Sequence, residues 1–253
     1  TFGKSGCIDA MYASMAAKVK GANHHLIDIN EKNWLEPRFQ GVWWTDGQLD
    51  ILNMHGIEAH EAIKSLYDIN FNGFAGDLIL GGSYLPSAHK TGRDAFDVEH
   101  LMKQFGTDQL PKLNWELYKS LNTLDYCFLQ NRVRRFTIGG TRHLQVSVEY
   151  RKPFYDNKLI EFIYSLPDHY RYGGLTYHKM LLRQFPSFFS NIPWSNTCAP
   201  IGGSKLISYL CQVKKHVHHI MVKGMEKVGL EIQNPYTYTN YSIWIRKEPA
   251  RSL

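Results

Sequence analysis

The segment of this chain with the clearest potential for chemistry runs from Asn72 to Asp77 and reads NGFAGD, with Gly81, Gly82 and Tyr84 close behind. Glycines let backbone N–H groups approach an anion, and the turn directs the single carboxylate of Asp77 at a cation that accompanies the anion. A magnesium ion carried by phosphates takes one or two protein carboxylates. The segment therefore predicts a site for Mg²⁺ with a nucleotide or pyrophosphate. The alternative is an ordinary glycine-rich turn with an exposed aspartate.

The N-terminal residues Gly3-Lys4-Ser5 offer a different phosphate site, because they match the second half of the P-loop motif G-x-x-x-x-G-K-S. A predicted helix over residues 6–20 follows at the right place, and Asp28 could supply the acidic partner of a magnesium ion. Only half of the motif is visible. A truncated P-loop NTPase is one alternative, and a surface turn at Lys4 and Ser5 is the other.

Two histidine groups could suggest a metal site. His24 is followed directly by His25, and His216 and His219 lie three residues apart on one predicted helix, a spacing that can hold zinc. No acidic or cysteine residue accompanies them at a ligand-like spacing. We therefore expect exposed helix residues at His216 and His219 and no zinc site.

Five short motifs, taken in order along the chain, resemble the asparagine synthetase family. The first is Thr1-Phe2-Gly3 with an alanine-rich helix and His24-His25, and the second is NGFAGD with the later Gly-Gly and Tyr84, where the family has GEGGDE and FGGY. The third is EYRKPFYD at 149–156, where the family has E-x-R-x-P-F-L-D. The last two are SLP at 165–167 and KMLLR at 179–183, the latter where the family has K-x-L-L-R. Together they extend over residues 1 to about 200.

This resemblance implies a synthetase domain of the ATP-pyrophosphatase superfamily, which adenylates a carboxylate with Mg-ATP and then transfers it to ammonia or an amine. The implied cofactors are ATP and Mg²⁺, and the implied substrate is a small carboxylate, aspartate or an analogue. A glutaminase domain or subunit is the implied nitrogen source. A non-catalytic or partial relative that acts as a binding domain is the alternative function.

The resemblance also assigns roles to individual residues. It implies that Asp77 holds Mg-pyrophosphate and that Lys179 stabilises charge where the acyl-adenylate forms, although an ordinary surface lysine is the alternative for Lys179. Arg151 and Asp156 are expected to be structural, through a charge-assisted pair. The residues expected to bind the nucleotide are Phe2 and Gly3 at the adenine and Gly73 and Gly76 in the loop.

Two features depart from the family pattern. No Ser-Gly-Gly-x-Asp-Ser, the family's pyrophosphate-binding loop, occurs in the 253 residues, and the glutamates expected beside Asp77 are replaced by Phe74 and Leu78. Either the chain is a fragment that begins one βα unit late, or it is a divergent relative with altered chemistry. The loss of glutamate at Phe74 makes a changed acceptor substrate credible.

The periodicity predicts an α/β fold, a partial doubly wound parallel sheet followed by a mainly helical half. Strands are expected at Phe2, His25–Ile29 and near Phe71, with ligands at their carboxyl ends. Helices are expected over 6–20, 48–67, 98–105, 111–135, 157–165, 177–184 and 205–228, and the aromatic stretch 34–47 reads as turns. The expected division of this one synthetase domain is 1–86 for the α/β part and 87–253 for the helical part.

Composition restricts the class of protein. The chain has 29 basic and 23 acidic residues, a net charge of +6 that favours anionic ligands but is too diffuse to predict nucleic-acid binding. Four widely spaced cysteines argue for reduced thiols. No run of 18 apolar residues occurs, so no membrane span is expected. We predict a cytoplasmic protein.

Overall fold

The computed structural model describes residues 1–86, 115–121, 123–146, 148–228, 230, 232 and 234–246. The chain forms two compact units: unit 1 comprises Thr1–Leu66 and Met180–Leu253, and unit 2 comprises Tyr67–Lys179. The predicted division at residue 86 stays a prediction.

The described part of the chain contains short strands and mostly short helices. The strands are β1 (Phe2–Gly3), β2 (Ile27–Asp28), β3 (Ile69–Phe71), β4 (Glu149–Arg151), β5 (Pro193–Trp194) and β6 (Ala199–Pro200). The α-helices are α1 (Ile8–Lys20), α2 (Glu36–Trp44), α3 (His60–Leu66), α4 (Gly76–Ile79), α5 (Trp115–Leu121), α6 (Leu124–Cys127), α7 (Asn157–Ser165), α8 (Asp168–Arg171), α9 (Leu175–Gln184), α10 (Pro186–Phe189), α11 (Lys205–Lys227) and α12 (Tyr241–Trp244). Tighter or wider helical turns occur at Ile57–Ala59, Phe128–Thr137, Gly139–Val146, Pro153–Tyr155 and Tyr172–Gly174.

In unit 1, β1 and β2 are parallel, with Phe2 opposite Ile27 and Gly3 opposite Asp28. Helix α1 connects them and ends at Gly21, whose backbone is left-handed with φ +68° and whose N–H donates to the carbonyls of Ala17 and Lys18. This is the predicted strand–helix–strand unit. It places the carboxyl ends of β1 and β2 side by side, where parallel sheets bind ligands.

The core of unit 1 closes around two tryptophans, Trp34 and Trp244, packed with Ile29. Beside it, the fully buried guanidinium of Arg38 forms an ion pair with Glu58 at 2.5 Å. Arg38 also donates to the carbonyl of Trp34 at 3.0 Å and to the hydroxyl of Tyr241. The cation thus connects three segments of unit 1.

In unit 2, β3 and β4 are parallel and pair Ile69 with Glu149, Asn70 with Tyr150 and Phe71 with Arg151. The short helix α4 follows β3. Its apolar face is packed in a cluster of buried side chains: Ala75, Ile79, Leu80, Val133 and Ile163. The cluster fixes the turn that carries Asp77 against the body of the unit.

A buried polar network forms the second core feature of unit 2. The Arg171 guanidinium binds both carboxylate oxygens of Asp125, each at 2.9 Å, and pairs with Asp168. The Tyr84 hydroxyl donates to Asp125, and its ring stacks on Phe128 with centroids 4.5 Å apart. The tyrosine that follows the Gly-Gly pair is therefore a core residue.

The α/β class and the parallel strand pairs are confirmed, whereas a doubly wound sheet stays a prediction. Helix α7 has the predicted bounds, and its N-terminus is capped because the Asp156 carboxylate accepts the Leu159 N–H at 3.0 Å. The helix predicted over 98–105 lies outside the described residues.

Two predicted elements are wrong in detail. Only Ile57–Ala59 and α3 are helical within the predicted helix 48–67, because Asp50 accepts the N–H groups of Leu52 and Asn53 and Gly56 has φ +83°. Conversely, the stretch predicted as turns contains α2, which begins with a proline at its first turn.

The predicted helix 111–135 is also interrupted in its described part. Helix α5 ends at Leu121, and α6 begins anew after Thr123, whose side chain accepts the Asp125 N–H at 3.2 Å. The chain continues as a π-helix over Phe128–Thr137. None of the described helices has the length and apolar character needed to cross a bilayer.

Candidate functional site

The turn from Asn72 to Asp77 in unit 2 is held by specific backbone contacts. The Asn72 N–H donates to the carbonyl of Arg151 at 2.8 Å, and the Asn72 side chain accepts the N–H of Phe74 at 2.8 Å. Ala75 has φ +61°, and α4 starts immediately after it. The chain therefore reverses direction just past the carboxyl end of β3, as the sequence predicts.

Asp77 lies in the first turn of α4 and is exposed. Among the described residues, no hydrogen bond or salt bridge engages its carboxylate. Its charge does act on two tyrosines of the same unit, since burial and then Asp77 raise the pKa of both Tyr155 and Tyr177. Asp77 thus has an exposed carboxylate whose charge acts on two tyrosine hydroxyls.

Tyr155 is the polar residue that the sequence analysis missed. Its hydroxyl oxygen is buried and has no hydrogen-bond partner among the described residues. A buried hydroxyl without a partner costs about 1–3 kcal/mol, so such a group requires an explanation. One signal was present in the sequence: Tyr155 stands where the family motif E-x-R-x-P-F-L-D has leucine.

The glycines of the turn differ in their surroundings. A Cβ on Gly76 would lie 2.8 Å from the Phe154 ring, and the Gly76 N–H donates to the Gly73 carbonyl at 3.2 Å. Gly73 is exposed, and a Cβ there would meet nothing closer than 3.8 Å. Close packing thus requires glycine at 76, and the nucleotide-binding role of both glycines stays a prediction.

Close packing also explains the glycine pair that follows the turn, Gly81 and Gly82. A Cβ on Gly81 would lie 2.5 Å from the Asp77 carbonyl oxygen, and one on Gly82 would lie 2.8 Å from the carbonyl of Arg171. Gly82 also has φ +54°. This pair lets the chain pass close to Asp77 and to the buried Arg171.

Lys179 is exposed on α9. On the same helix, the charge of Asp77 contributes to raising the pKa of Tyr177, which lies two residues before Lys179. Residues two apart on an α-helix point about 200° apart. Tyr177 and Lys179 therefore project from different sides of α9, and the catalytic role of Lys179 stays a prediction.

Arg151 and Asp156 do not pair with each other. Arg151 binds Glu149 through its Nε at 2.7 Å, and both side chains are about half exposed. Asp156 caps α7. Each of the two side chains thus contacts a residue close to it in the sequence, and the predicted charge-assisted pair between them does not form.

In unit 1, Phe2 and Gly3 are packed by the C-terminal segment. The Phe2 ring meets Tyr238 edge-on, with centroids 6.0 Å apart. Gly3 is buried with φ +146°, and a Cβ there would lie 3.2 Å from that of Tyr238. Their predicted role at the adenine stays a prediction.

A cavity of about 450 Å³ lies at the carboxyl ends of β1 and β2 within unit 1. Its size is in the usual range for small ligands. Neither Phe2 nor Gly3 lines it; the lining residues are Lys4, Ser5, Asp28, Ile29, Asn30, Glu31, Lys32, Asn240 and Trp244.

Lys4 and Ser5 are engaged in ways that differ from a P-loop. The Lys4 ammonium donates to the carbonyl of Asn234 at 2.9 Å and to the side chains of Thr237 and Asn240. The Ser5 N–H donates to the Asp28 carboxylate at 2.8 Å. An N–H bound to a carboxylate does not hold a phosphate, so the contacts favour a structural turn here.

The described residues contain no cluster of three or more histidine, cysteine or acidic side chains that could hold a metal ion by themselves. His24 instead contacts the Thr1 hydroxyl at 3.0 Å. His218 packs edge-on against Tyr236, with ring centroids 5.4 Å apart.

Comparison with known proteins gives one finding. The family model described as asparagine synthase matches residues 1–186. This region includes β1, β2, the Asn72–Asp77 turn, Tyr155 and Lys179. No curated protein and no solved structure matches the chain.

Proposed function

The chain belongs to the asparagine synthase family, and on this premise we propose that it forms an amide at the expense of ATP. A carboxylate of the substrate attacks the α-phosphorus of ATP, which gives an acyl-adenylate and releases pyrophosphate. Ammonia or an amine then attacks the acyl carbon, and AMP leaves. Positioning and fixed charges carry most of such chemistry, so few protein groups need to react.

The observation that carries the proposal is an exposed Asp77 carboxylate whose charge acts on Tyr155, a residue whose buried hydroxyl has no partner within the described part of the chain. An exposed carboxylate at a strand end can share a cation with a phosphate ligand. A phenol that lacks an acceptor can donate its proton to an oxygen of the same ligand. Both groups lie in the region that matches the family.

The single exposed carboxylate of Asp77 is compatible with Mg²⁺, because this ion takes one or two protein carboxylates and completes its octahedron with phosphate oxygens and water. Asp77 would hold the ion. When bound, Mg²⁺ supplies positive charge that offsets the charge of the pyrophosphate.

The remaining roles belong to the chain's own side chains. Lys179 would place a positive charge near the adenylate. Gly73 and Gly76 would let the backbone approach the phosphates. We expect aspartate or an analogue as the carboxylate and a glutaminase domain or subunit as one source of nitrogen.

The direct test is ATP–pyrophosphate exchange by the complete gene product with Mg²⁺ and a panel of small carboxylates that includes aspartate. Carboxylate-dependent exchange supports adenylation. ATP binding in calorimetry without exchange on any member of the panel would favour the alternative, a binding domain that has lost catalysis.

Replacing Tyr155 with phenylalanine is expected to lower the exchange rate about 10-fold or more, since a hydrogen bond to a charged group contributes about 1.5–3 kcal/mol. The fold should be unaffected or slightly stabilised, because the hydroxyl has no protein partner among the described residues. Thermal melting and exchange on the same preparation check both statements.

The matched control is Tyr170→Phe, at a half-exposed tyrosine on α8. It should leave exchange unchanged. A Tyr155→Phe protein that exchanges at the normal rate would remove the hydroxyl from the proposed site.

Replacing Phe74 with glutamate tests the origin of the altered loop. Phe74 is half-buried beside the turn that carries Asp77, and the family pattern has glutamate there. If this position serves amine transfer, Phe74→Glu should change amide formation several-fold more than exchange. Leu78→Glu, at the other altered position, provides the comparison. If Phe74→Glu changes neither amide formation nor exchange, residue 74 lies away from the acceptor.

A further inference from the structure

Two of the four cysteines, Cys198 and Cys211, are half-buried in unit 1, whereas Cys7 and Cys127 are fully buried. Cys198 is the last residue of the loop that joins β5 to β6, and its N–H donates to the carbonyl of Trp194 at 2.7 Å. Its backbone has φ +54°, a region that glycine or asparagine occupies more readily than cysteine. The turn alone therefore does not explain a cysteine at this position.

Lys215 of helix α11 holds the β5–β6 loop against the helix. Its ammonium donates to the carbonyl of Ser195 at 3.2 Å, and the Cys198 thiol contacts the same carbonyl oxygen at 3.8 Å. Cys211 lies four residues before Lys215 on α11, so the two Cβ atoms are about 5–6 Å apart on one face of the helix. Cys211 is thus on the face of α11 that meets the loop of Cys198.

The electrostatics of this region also bring the two thiols together. Burial raises the pKa of the Cys198 thiol, the charge of Lys215 lowers it, and the charge of Cys211 raises it again. Burial likewise raises the pKa of Tyr12 and the pKa of Tyr236, and both cysteines add to each of these shifts. Charges that act on the same two tyrosines and on each other belong to one cluster.

We propose that Cys198 and Cys211 are a redox-responsive pair that forms a reversible disulfide between the β5–β6 loop and α11. In the structure both cysteines are free thiols, which is the reduced state of the pair. The oxidant would be hydrogen peroxide. The inference rests on unit 1 alone, concerns residues outside the segment 1–186 that matches the family, and is independent of the proposed amide-forming activity.

The reaction has two steps. The Cys198 thiolate, stabilised by the charge of Lys215, attacks one peroxide oxygen; the O–O bond breaks, a sulfenic acid forms, and the departing hydroxide takes a proton to become water. The Cys211 thiolate then attacks the sulfenic sulfur, and the S–O bond breaks as the S–S bond forms and a second water leaves. The two thiols thus lose two electrons and two protons, and the peroxide is reduced to two waters.

A metal ion is a different role for two neighbouring thiols, and the surroundings do not favour it. A structural zinc site takes four ligands, usually cysteine and histidine. Within the described part of the chain, no third histidine, cysteine or acidic residue joins Cys198 and Cys211 in a metal-binding group. Two thiols without further ligands are suited to pairing with each other.

The test uses Lys205, which separates the two thiols in a tryptic digest. Cys198 falls in the peptide 184–205, and Cys211 falls in the peptide 206–214. The full chain is treated with hydrogen peroxide at pH 8, alkylated, digested without reduction and analysed by mass spectrometry. We expect a disulfide to join the two peptides and dithiothreitol to separate them. The buried Cys7 and Cys127 should stay reduced and be alkylated only after unfolding.

Variants of the pair and of the lysine assign the roles. Cys211→Ser should leave Cys198 as a sulfenic acid that dimedone traps, and Cys198→Ser should abolish the link. Lys215→Met should slow the linking about 3-fold or more, because a nearby cation favours the thiolate. Lys215→Arg keeps the charge and should retain most of the rate. The matched control is Lys214→Met, at the exposed neighbouring lysine, which should link at the normal rate.

The linked protein should also melt at a higher temperature than the reduced protein. Cys198 and Cys211 are 13 residues apart, and the link closes this loop in the unfolded chain. We expect the melting temperature to rise by about 5 °C or more. Dithiothreitol should reverse the rise, and Cys211→Ser treated in the same way should not show it.

Three results would overturn the proposal. One is the absence of any link between the two peptides, whether the thiols stay reduced or oxidise separately. Another is a link between separate molecules on a non-reducing gel, which would assign the thiols to an interface between copies of the chain. The third is an equal yield of links to Cys7 or Cys127, which would mean that oxidation follows unfolding.

Discussion

Asp77→Asn is expected to lower ATP–pyrophosphate exchange by about 100- to 1,000-fold, the size of effect seen when one preorganised electrostatic group is removed from an active site. Asparagine keeps the shape of the side chain and removes its charge. Phe74 and Leu78 stand where the family pattern has glutamates, so no neighbouring carboxylate of the turn can replace Asp77 in sharing Mg²⁺. Exchange measured over a range of Mg²⁺ concentrations should show that added metal restores only part of the rate.

Asp68→Asn is the control for this prediction, since Asp68 is an exposed aspartate of the same unit just before β3. It should exchange normally. Unfolding of the Asp77→Asn protein should match the parent, because no described residue forms a hydrogen bond or salt bridge with the carboxylate. Normal exchange by Asp77→Asn would remove the central residue from the proposed mechanism.

Much of the fold follows from local sequence, and α7 shows why. Asp156 caps its first turn, Leu159, Ile160 and Ile163 form its apolar stripe, and Pro167 follows its end. All of these signals lie within a dozen residues. The bounds could therefore be predicted without knowledge of the tertiary structure.

Helix α2 shows where local signals are insufficient. A glycine among aromatic residues at 34–47 suggests turns, yet Gly41 lies inside the helix. A Cβ on Gly41 would come within 2.5 Å of the Ile57 and Met54 side chains. The glycine is required by packing against a distant segment, and such a contact has no signature in the local sequence.

The candidate site likewise contains residues that the local sequence predicts and residues that it does not. Asp77 could be predicted because the glycines and the carboxylate are neighbours in the sequence. Tyr155 and Tyr177 lie 78 and 100 residues further along the chain and meet the charge of Asp77 only in the folded unit. The sequence motif places Tyr84 with the glycine loop, but in the structure its hydroxyl contacts Asp125 in the core. Sequence spacing therefore identified the turn but not the side chains around it.

Arg171→Met is expected to destabilise unit 2 by about 3–5 kcal/mol, the cost of removing one partner from a buried ion pair. Only 2% of the Arg171 surface is exposed, and its guanidinium binds Asp125 through two hydrogen bonds of 2.9 Å and also binds Asp168. Methionine fills similar volume but removes the cation that binds the Asp125 and Asp168 carboxylates. Hydrogen exchange of the peptides from 67–179 measures the loss within this unit.

The control is Arg151→Met, at an arginine of the same unit whose ion pair with Glu149 is about half exposed on both sides. Exposed pairs contribute about 0–1 kcal/mol, so this variant should stay within that range.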